Sequence, residues 1–367
     1  MPSGTPAVPV DRNPEMKQSS VGQSKGYWRG VWKHYRRRRS GMIGLGIFAL
    51  LLIVAFFSNL LAGSLPIACR YKGEVTFPAI VATVHKIPGG EHLWSMPKPF
   101  RFPQFDAKRE VPKDASGWAI WPLVPWDPNE VDPPNRLAGR SDAHLLGTDE
   151  VGRDVLSRMI HATTIAMLVG FISMGIATTI GLVAGAVAGY LGAWEDIAIS
   201  RVIEVFICIP VFYVILIVLL LTEPGIYKVM VVIGIFGWTG IARYTRGEFL
   251  KLKNMEYALA ARALGATSNR IIFRHLLPNS LAPVLVVVAF GFAGAIFVES
   301  GLSWLGFGVM PPTPTWGNIL RSGWENLRVA PHLIFPSSIA IFVTVLTFNL
   351  IGDALRDATD PRLTGSA

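Results

Sequence analysis

The chain has 367 residues, 51% of them hydrophobic and 16% charged, with a mean hydropathy of +0.42. Few soluble proteins are so apolar over such a length, so composition selects a polytopic membrane protein. The net charge of +9 sits beside apolar runs, which points to orientation in a membrane and away from nucleic acid.

Residues 1 to about 24 are rich in Pro, Ser and Gly and are predicted to be disordered. No small-residue cleavage site stands beside an early apolar core, so the first span is read as retained. A GxSxG string at 22–26 lacks the strand-turn-helix setting of a nucleophile elbow and is read as chance. Between 26 and 40, Trp28, Trp32 and Tyr35 interleave with Arg29, Lys33, Arg36, Arg37, Arg38 and Arg39. Such a pattern suits an interfacial helix on an anionic leaflet. A nucleic-acid patch is the competing reading, weakened because an apolar span starts at the next residue.

Six apolar segments are read as spans: 41–63, 160–188, 202–222, 226–241, 281–298 and 333–351. The first is long enough to cross a hydrocarbon core of about 30 Å. The arginines before it place the N-terminus inside. Six crossings then place Arg243, Arg246, Lys251, Lys253, Arg262, Arg270 and Arg274 inside too, with Arg356 and Arg362 of the tail. Segment 64–145 is also basic, but it exceeds the roughly 60 residues over which loop charge sets topology, so it is placed outside. Its prolines, its tryptophans (Trp94, Trp118, Trp121, Trp126) and the β-like runs 75–77 and 80–84 predict a small irregular cap with some strand. A disordered linker would carry fewer aromatics. Cys69 and Cys208 lie in different environments, so neither a disulfide nor a metal pair is expected.

The expected fold is thus an all-α polytopic membrane protein of six transmembrane helices, with an irregular extracytoplasmic insert containing some β. Its parts are a cytoplasmic tail and interfacial helix (1–40), a first span (41–63), the insert (64–145), a membrane domain (146–357) and a cytoplasmic tail (358–367).

Several stretches carry more information than their hydropathy. HLLGTDEVGRDVLSR, 144–158, is a turn-rich entry into the second span, with Asp149, Glu150, Arg153 and Asp154 able to form caps and ion pairs. Gly181, Gly185 and Gly189 form a stripe that permits close helix packing, within the chain or against a sister subunit. Pro210 interrupts the third span and marks either a packing kink or a gate. Arg201 with Glu204, and Asp353 with Arg356, are read as interfacial helical pairs. Glu299, at the end of the fifth span, is read as interfacial, with the translocation path as the alternative. The Gly- and Pro-dense run 300–324 predicts a re-entrant or surface turn. Between the fourth and fifth spans, MEYALAARALGATSNRIIFRHLLP (255–278) reads as helix, Gly265 turn, helix and a stop at Pro278, a basic hairpin fit to hold a partner. No phosphate loop or HExxH metal motif occurs, so any ATP hydrolysis must lie on another chain.

The hairpin resembles the EAA loop of permease subunits of binding-protein-dependent ABC importers: Glu-Ala-Ala, three residues, Gly, nine residues, Ile-x-Leu-Pro. Ala260, Ala261, Gly265, Leu277 and Pro278 match, while Leu259 replaces Glu, with Glu256 one turn earlier, and His275 replaces Ile. The 144–158 run resembles LGTDxxGRDxxSR of the dipeptide, oligopeptide and nickel branch. Residues 189–196 resemble its GYxGGxxD, with Ala193 for the second paired glycine. The run around Ser303, Gly306, Gly308, Pro311, Pro312, Trp316 and Gly317 resembles SFLGLGxxPPxPxWG, and 349–362 resembles NLLGDxLRDxxDPR. The expanded outer segment is similar to that of microcin C-type peptide importers. The resemblance implies a permease for peptides, nickel or opine-like solutes, without a cofactor of its own. Its implied partners are a second, non-identical permease, two ABC ATPases carrying ATP and Mg, and an extracytoplasmic solute-binding protein. It implies ATPase coupling at Glu256, Ala260, Ala261, Gly265, Ala266, Arg270, Leu277 and Pro278. An ion-coupled secondary transporter and a membrane scaffold are the alternatives.

Overall fold

The computed structural model describes residues 23–87, 90–102, 105–222 and 225–359. The disorder expected of residues 1–22 and the closing Asp-Pro-Arg at 360–362 lie outside the described residues. Residues 23 and 24 already belong to helix α1 (Gln23–Arg37), which meets α2 (Arg39–Phe56) at Arg38, in extended backbone. The corner is closed by Tyr35, whose hydroxyl donates to the Gly41 carbonyl at 2.9 Å. A short α3 (Ser58–Leu61) follows, so the first span is shorter than 41–63.

The insert contains an antiparallel sheet of β1 (Ala68–Tyr71), β2 (Glu74–Thr76) and β3 (Trp118–Ile120) in the order β2-β1-β3. Cys69 stands opposite Thr76 on one side and Ala119 on the other. Short helices α4 (Pro78–Val84), α5 (Gly90–Leu93) and α6 (Ala107–Glu110) complete it. The expected strand at 80–84 is therefore a helix. Pro78 starts α4 at a position where its missing N–H costs nothing, and burial of Ala79, Val81 and Thr83 outweighs the β propensity of the run. Cys69, Phe100, Ala107 and Val111 form a small core under Phe105, which meets the Tyr71 and Phe100 rings edge-on at 5.3 and 5.1 Å.

The membrane domain holds α7 (Val155–Leu191), α8 (Ala193–Cys208), α9 (Val211–Leu221), α10 (Ile226–Leu252), α11 (Glu256–Ala263), α12 (Ser268–Ile271), α13 (Leu277–Leu305), α14 (Trp316–Glu325) and α15 (Ile334–Thr359). Among the described residues, five helical runs are long and apolar enough to cross a membrane. The expected third span is two helices, α8 and α9, bent by 74° at the break that holds Pro210.

The glycine stripe of α7 packs within the chain, against α10. A Cβ at Gly181 would lie 2.7 Å from Ile241 Cβ, one at Gly185 2.5 Å from the Ala242 carbonyl, and one at Gly189 2.6 Å from Phe249 Cβ. Elsewhere in the bundle Phe292 stacks on Phe348 at 4.7 Å, and Phe171 meets Phe292 edge-on at 5.0 Å.

Candidate functional site

α10 runs past its expected end at 241 to Leu252, and the chain then turns through Asn254 into α11. α11 is closed by two hydrogen bonds that explain the spacing of its Ala-Ala and Gly. Ala266 N donates to Ala261 O at 3.0 Å, and Gly265 N donates to Arg262 O at 3.0 Å. This is a Schellman cap, with Gly265 at the left-handed position (φ +80°) and Ala261 and Ala266 meeting across it. No atom lies within 4 Å of a Cβ built on Gly265. Glycine is needed there for backbone conformation alone.

Pro278 does not stop the second helix. α12 passes through a π-turn (Ile272–Leu276) directly into α13, with Pro278 in the first turn of that helix. Widening the ladder by one residue accommodates the missing proline N–H, so 268–305 is one continuous helical run. The hairpin is thus rigidly joined to the longest span.

One side of the hairpin is seated and the other is open. Ala258, Ile271 and Leu276 are buried against Phe249, Leu252 and Ala186, and Lys253 Nζ donates to the Gly189 carbonyl at 2.8 Å. Arg246 clamps Asp196 through two hydrogen bonds, one of 2.7 Å, and so holds α8 against α10. Of the expected coupling residues, Glu256, Ala260, Gly265 and Arg270 are exposed, and Ala261, Ala266, Leu277 and Pro278 are half-buried. Beside them lie Leu264, Phe273 and Leu259, with 88%, 66% and 50% of their surface exposed. Leu264 and Phe273 went unnoticed in the sequence, where each falls within a helical period that could equally face a core, and Leu259 was noticed only as the residue in place of Glu. Leu259 also lines a cleft of about 300 Å³ with Tyr190, Leu191, Lys253, Asn254 and Arg262.

The two translocation candidates separate. Pro210 leads into α9, whose Val211 and Phe212 line an apolar groove of about 690 Å³ with Phe236, Gly240, Gly294 and Gly301. Glu299 does not line that groove. It is 1% exposed, so its side chain faces the interior of the protein. Its carboxylate accepts from Ser303 Oγ at 2.6 Å and Ser300 Oγ at 3.5 Å, while Val309 N donates to Ser303 Oγ at 3.1 Å. A buried acid so satisfied fixes the turn that leads to α14. Arg201 and Glu204 do pair, at 2.5 Å and exposed. Among the described residues no ion pair joins Asp353 to Arg356, and α15 instead offers Asp357 to Arg38 at 3.1 Å.

The 144–158 run is a polar staple. Asp149 Oδ1 accepts from the backbone N–H groups of Val151, Gly152 and Arg153 at 2.9–3.1 Å, while its Oδ2 lies 2.7 Å from Arg153 Nε and 3.5 Å from Arg158 Nε. Asp154 caps α7 through Ser157 N at 2.7 Å and also binds His144 Nδ1 at 2.8 Å. Asp132, held below the usual carboxylate range by hydrogen bonds from Asn135 and His144, completes the cluster at 3.3 Å from His144 Nε2. Glu150 accepts from Ser322 Oγ of α14, and burial pushes its carboxyl above the ordinary value. The staple ties the insert, α7 and α14 together.

Long apolar helices packed through glycine, one broken pair beside an apolar groove and an exposed hairpin joined to a span define a multi-pass membrane transport component. The chain belongs to the family described as binding-protein-dependent transport system inner membrane component, which matches residues 181–365. It is the permease component of an ABC importer. The N-terminal transmembrane domain of oligopeptide transport permease C matches residues 26–71. The peptidoglycan transport system permease protein YejE of Agrobacterium fabrum is 31% identical over 363 residues, covering 91% of this chain and 92% of that protein. The inner membrane ABC transporter permease protein YejE of Escherichia coli is 31% identical over 341 residues, covering 90% and 96%. The glutathione transport system permease protein GsiD of Pectobacterium atrosepticum is 38% identical over 247 residues, covering 67% and 82%. Among solved structures, the inward-facing MetNI methionine ABC transporter matches with a TM-score of 0.44 and 20% identity over 56% of this chain and 98% of that one.

Proposed function

We propose that this permease carries peptides or a closely similar solute class, with a second, non-identical permease, two ATPases that hold ATP and Mg, and an extracytoplasmic solute-binding protein. The cargo class is supported by the oligopeptide, dipeptide and glutathione permeases among its relatives. Coupling rests on one observation: a rigidly capped hairpin exposes Leu259, Leu264 and Phe273 while its other side is seated in the bundle. An apolar helical face of this kind fits a groove on a partner. Force applied at α11 passes through the Gly265 cap and the π-turn into α13, which lines the apolar groove.

In this reading the bent α8–α9 pair counts as the sixth span, and the second permease covers the groove beside Pro210. The basic hairpin and both termini then lie in the cytoplasm and the insert lies outside, in contact with the binding protein. The test is uptake of a labelled tripeptide into proteoliposomes holding the full complex. The proposal expects uptake that needs ATP and binding protein, and copper-phenanthroline-catalysed disulfide cross-linking of a Leu264→Cys permease to single cysteines introduced on the ATPase surface. Uptake driven by an ion gradient without ATP, or cross-linking only within the permease, would refute it.

A further inference from the structure

The basic aromatic helix α1 takes no part in the coupling mechanism above, yet it is firmly placed. Val31 and Tyr35 are buried against Ala354 and Ala358 of α15, and Arg38 pairs with Asp357 at 3.1 Å. Helical spacing then puts Arg36, Arg29, Lys33 and Arg37 on one continuous arc opposite that seat, and all four are exposed. Among the described residues none of the four has an ion-pair partner, and α1 contains no acidic residue. Trp32 flanks the arc, exposed and stacked on Tyr35 at 5.8 Å. The apolar α2 begins at Arg39, so the arc lies where the chain enters the membrane.

We infer that α1 is a binding surface for anionic phospholipid headgroups, with Arg29, Lys33, Arg36 and Arg37 contacting phosphate and Trp32 lying at headgroup level. Charge complementarity selects the ligand: cations near an anionic leaflet are attracted to it, and tryptophan is enriched at that depth. Nucleic acid could satisfy the cations, but not the immediate junction with a span. Because α1 is seated on α15, a bound headgroup would also hold the end of that helix. The surface is independent of cargo and of ATPase docking.

The test uses the full chain in nanodiscs and measures the preference for spin-labelled phosphatidylglycerol over spin-labelled phosphatidylcholine by electron paramagnetic resonance. Removing four charges near the surface, in R29Q/K33Q/R36Q/R37Q, should lower that preference at least about threefold, and 0.5 M salt should lower it in the native chain. A K33Q/R37Q variant, checked for native helix content by circular dichroism, should fall in between if the fourfold change disturbs folding. Equal preference in native and variant chains overturns the inference. So does binding of a 20-nucleotide RNA to native chains in phosphatidylcholine discs that is lost with the same four residues, since the arc would then serve nucleic acid.

Discussion

Replacing Gly185 by alanine should destabilise the protein even though alanine is the better helix former. In an open helix position the change would contribute about 1 kcal/mol of stability. At Gly185 the new methyl meets the Ala242 carbonyl at 2.5 Å, Thr245 Cβ at 2.6 Å and Arg246 N at 3.0 Å, two of them backbone atoms that cannot swing away. Opening a close-packed interface by one methyl costs about 1–3 kcal/mol. Gly175 lies on the same helix with nothing within 4 Å of its built Cβ, and it serves as the control. Gly175→Ala should be neutral or stabilising, and Gly185→Ala should lie about 2–10 °C below it in apparent midpoint, at a few degrees per kcal/mol. The assay is thermal unfolding of the purified protein in mild detergent at one fixed scan rate. If both variants melt together, the α7–α10 contact is not as tight as described.

Glu299→Gln should fold as the native protein does, because the amide oxygen can still accept from Ser303, whereas Glu299→Ala should lose about 1–3 kcal/mol. An unchanged KM for the transported peptide in Glu299→Gln would fit a structural carboxyl, and a large rise in KM would put Glu299 on the path after all. Lys86 Nζ donates to the Ala55 carbonyl near the end of α2 at 3.2 Å and to Ser58 Oγ at the start of α3, and burial lowers its pKa to about 8. The unfolded chain then binds more protons between about pH 8 and the ordinary lysine range, so stability should rise with pH across that window. Lys86→Met should flatten the rise, as read from thermal midpoints at pH 7.5, 8.5 and 9.5. Asp149→Ala strips three backbone donors and two arginines of their acceptor, and should cost about 3–5 kcal/mol because it leaves the buried Arg158 without its paired carboxylate. Trypsin should then cut within 64–145 much faster than in the native protein, and an unaltered digestion rate would contradict the staple.

What the sequence carried well was local pattern backed by restricted chemistry. The glycine stripe, the Gly265 turn, the Asp149–Arg158 run and the break at Pro210 each depend on residues with few conformational or bonding options. What it hid depended on tertiary context. The run at 80–84 has strand propensity, yet burial of Val81 and Thr83 behind Pro78 makes it helical. Pro278 reads as a stop because a π-turn leaves no mark in composition. Glu299 looks interfacial by its place at a span end, and only the serines that satisfy it explain its burial. The direction of the Gly181–Gly189 stripe, toward α10 and not toward a sister subunit, also required the packed partner to be seen.

The most direct test of the coupling account is co-purification from native membranes in mild detergent, comparing the native chain with Gly265→Asp. Aspartate strains the left-handed backbone of that residue, but less than most side chains do, and a Cβ built there meets no packed neighbour within 4 Å, so the strain stays local to the hairpin cap and the spans should remain folded. The account predicts that the native chain brings down an ATPase and a second permease, and that the variant keeps the permease and loses the ATPase together with uptake. Equal recovery of the ATPase with both chains, or none with an intact native chain, would contradict the hairpin as the coupling element.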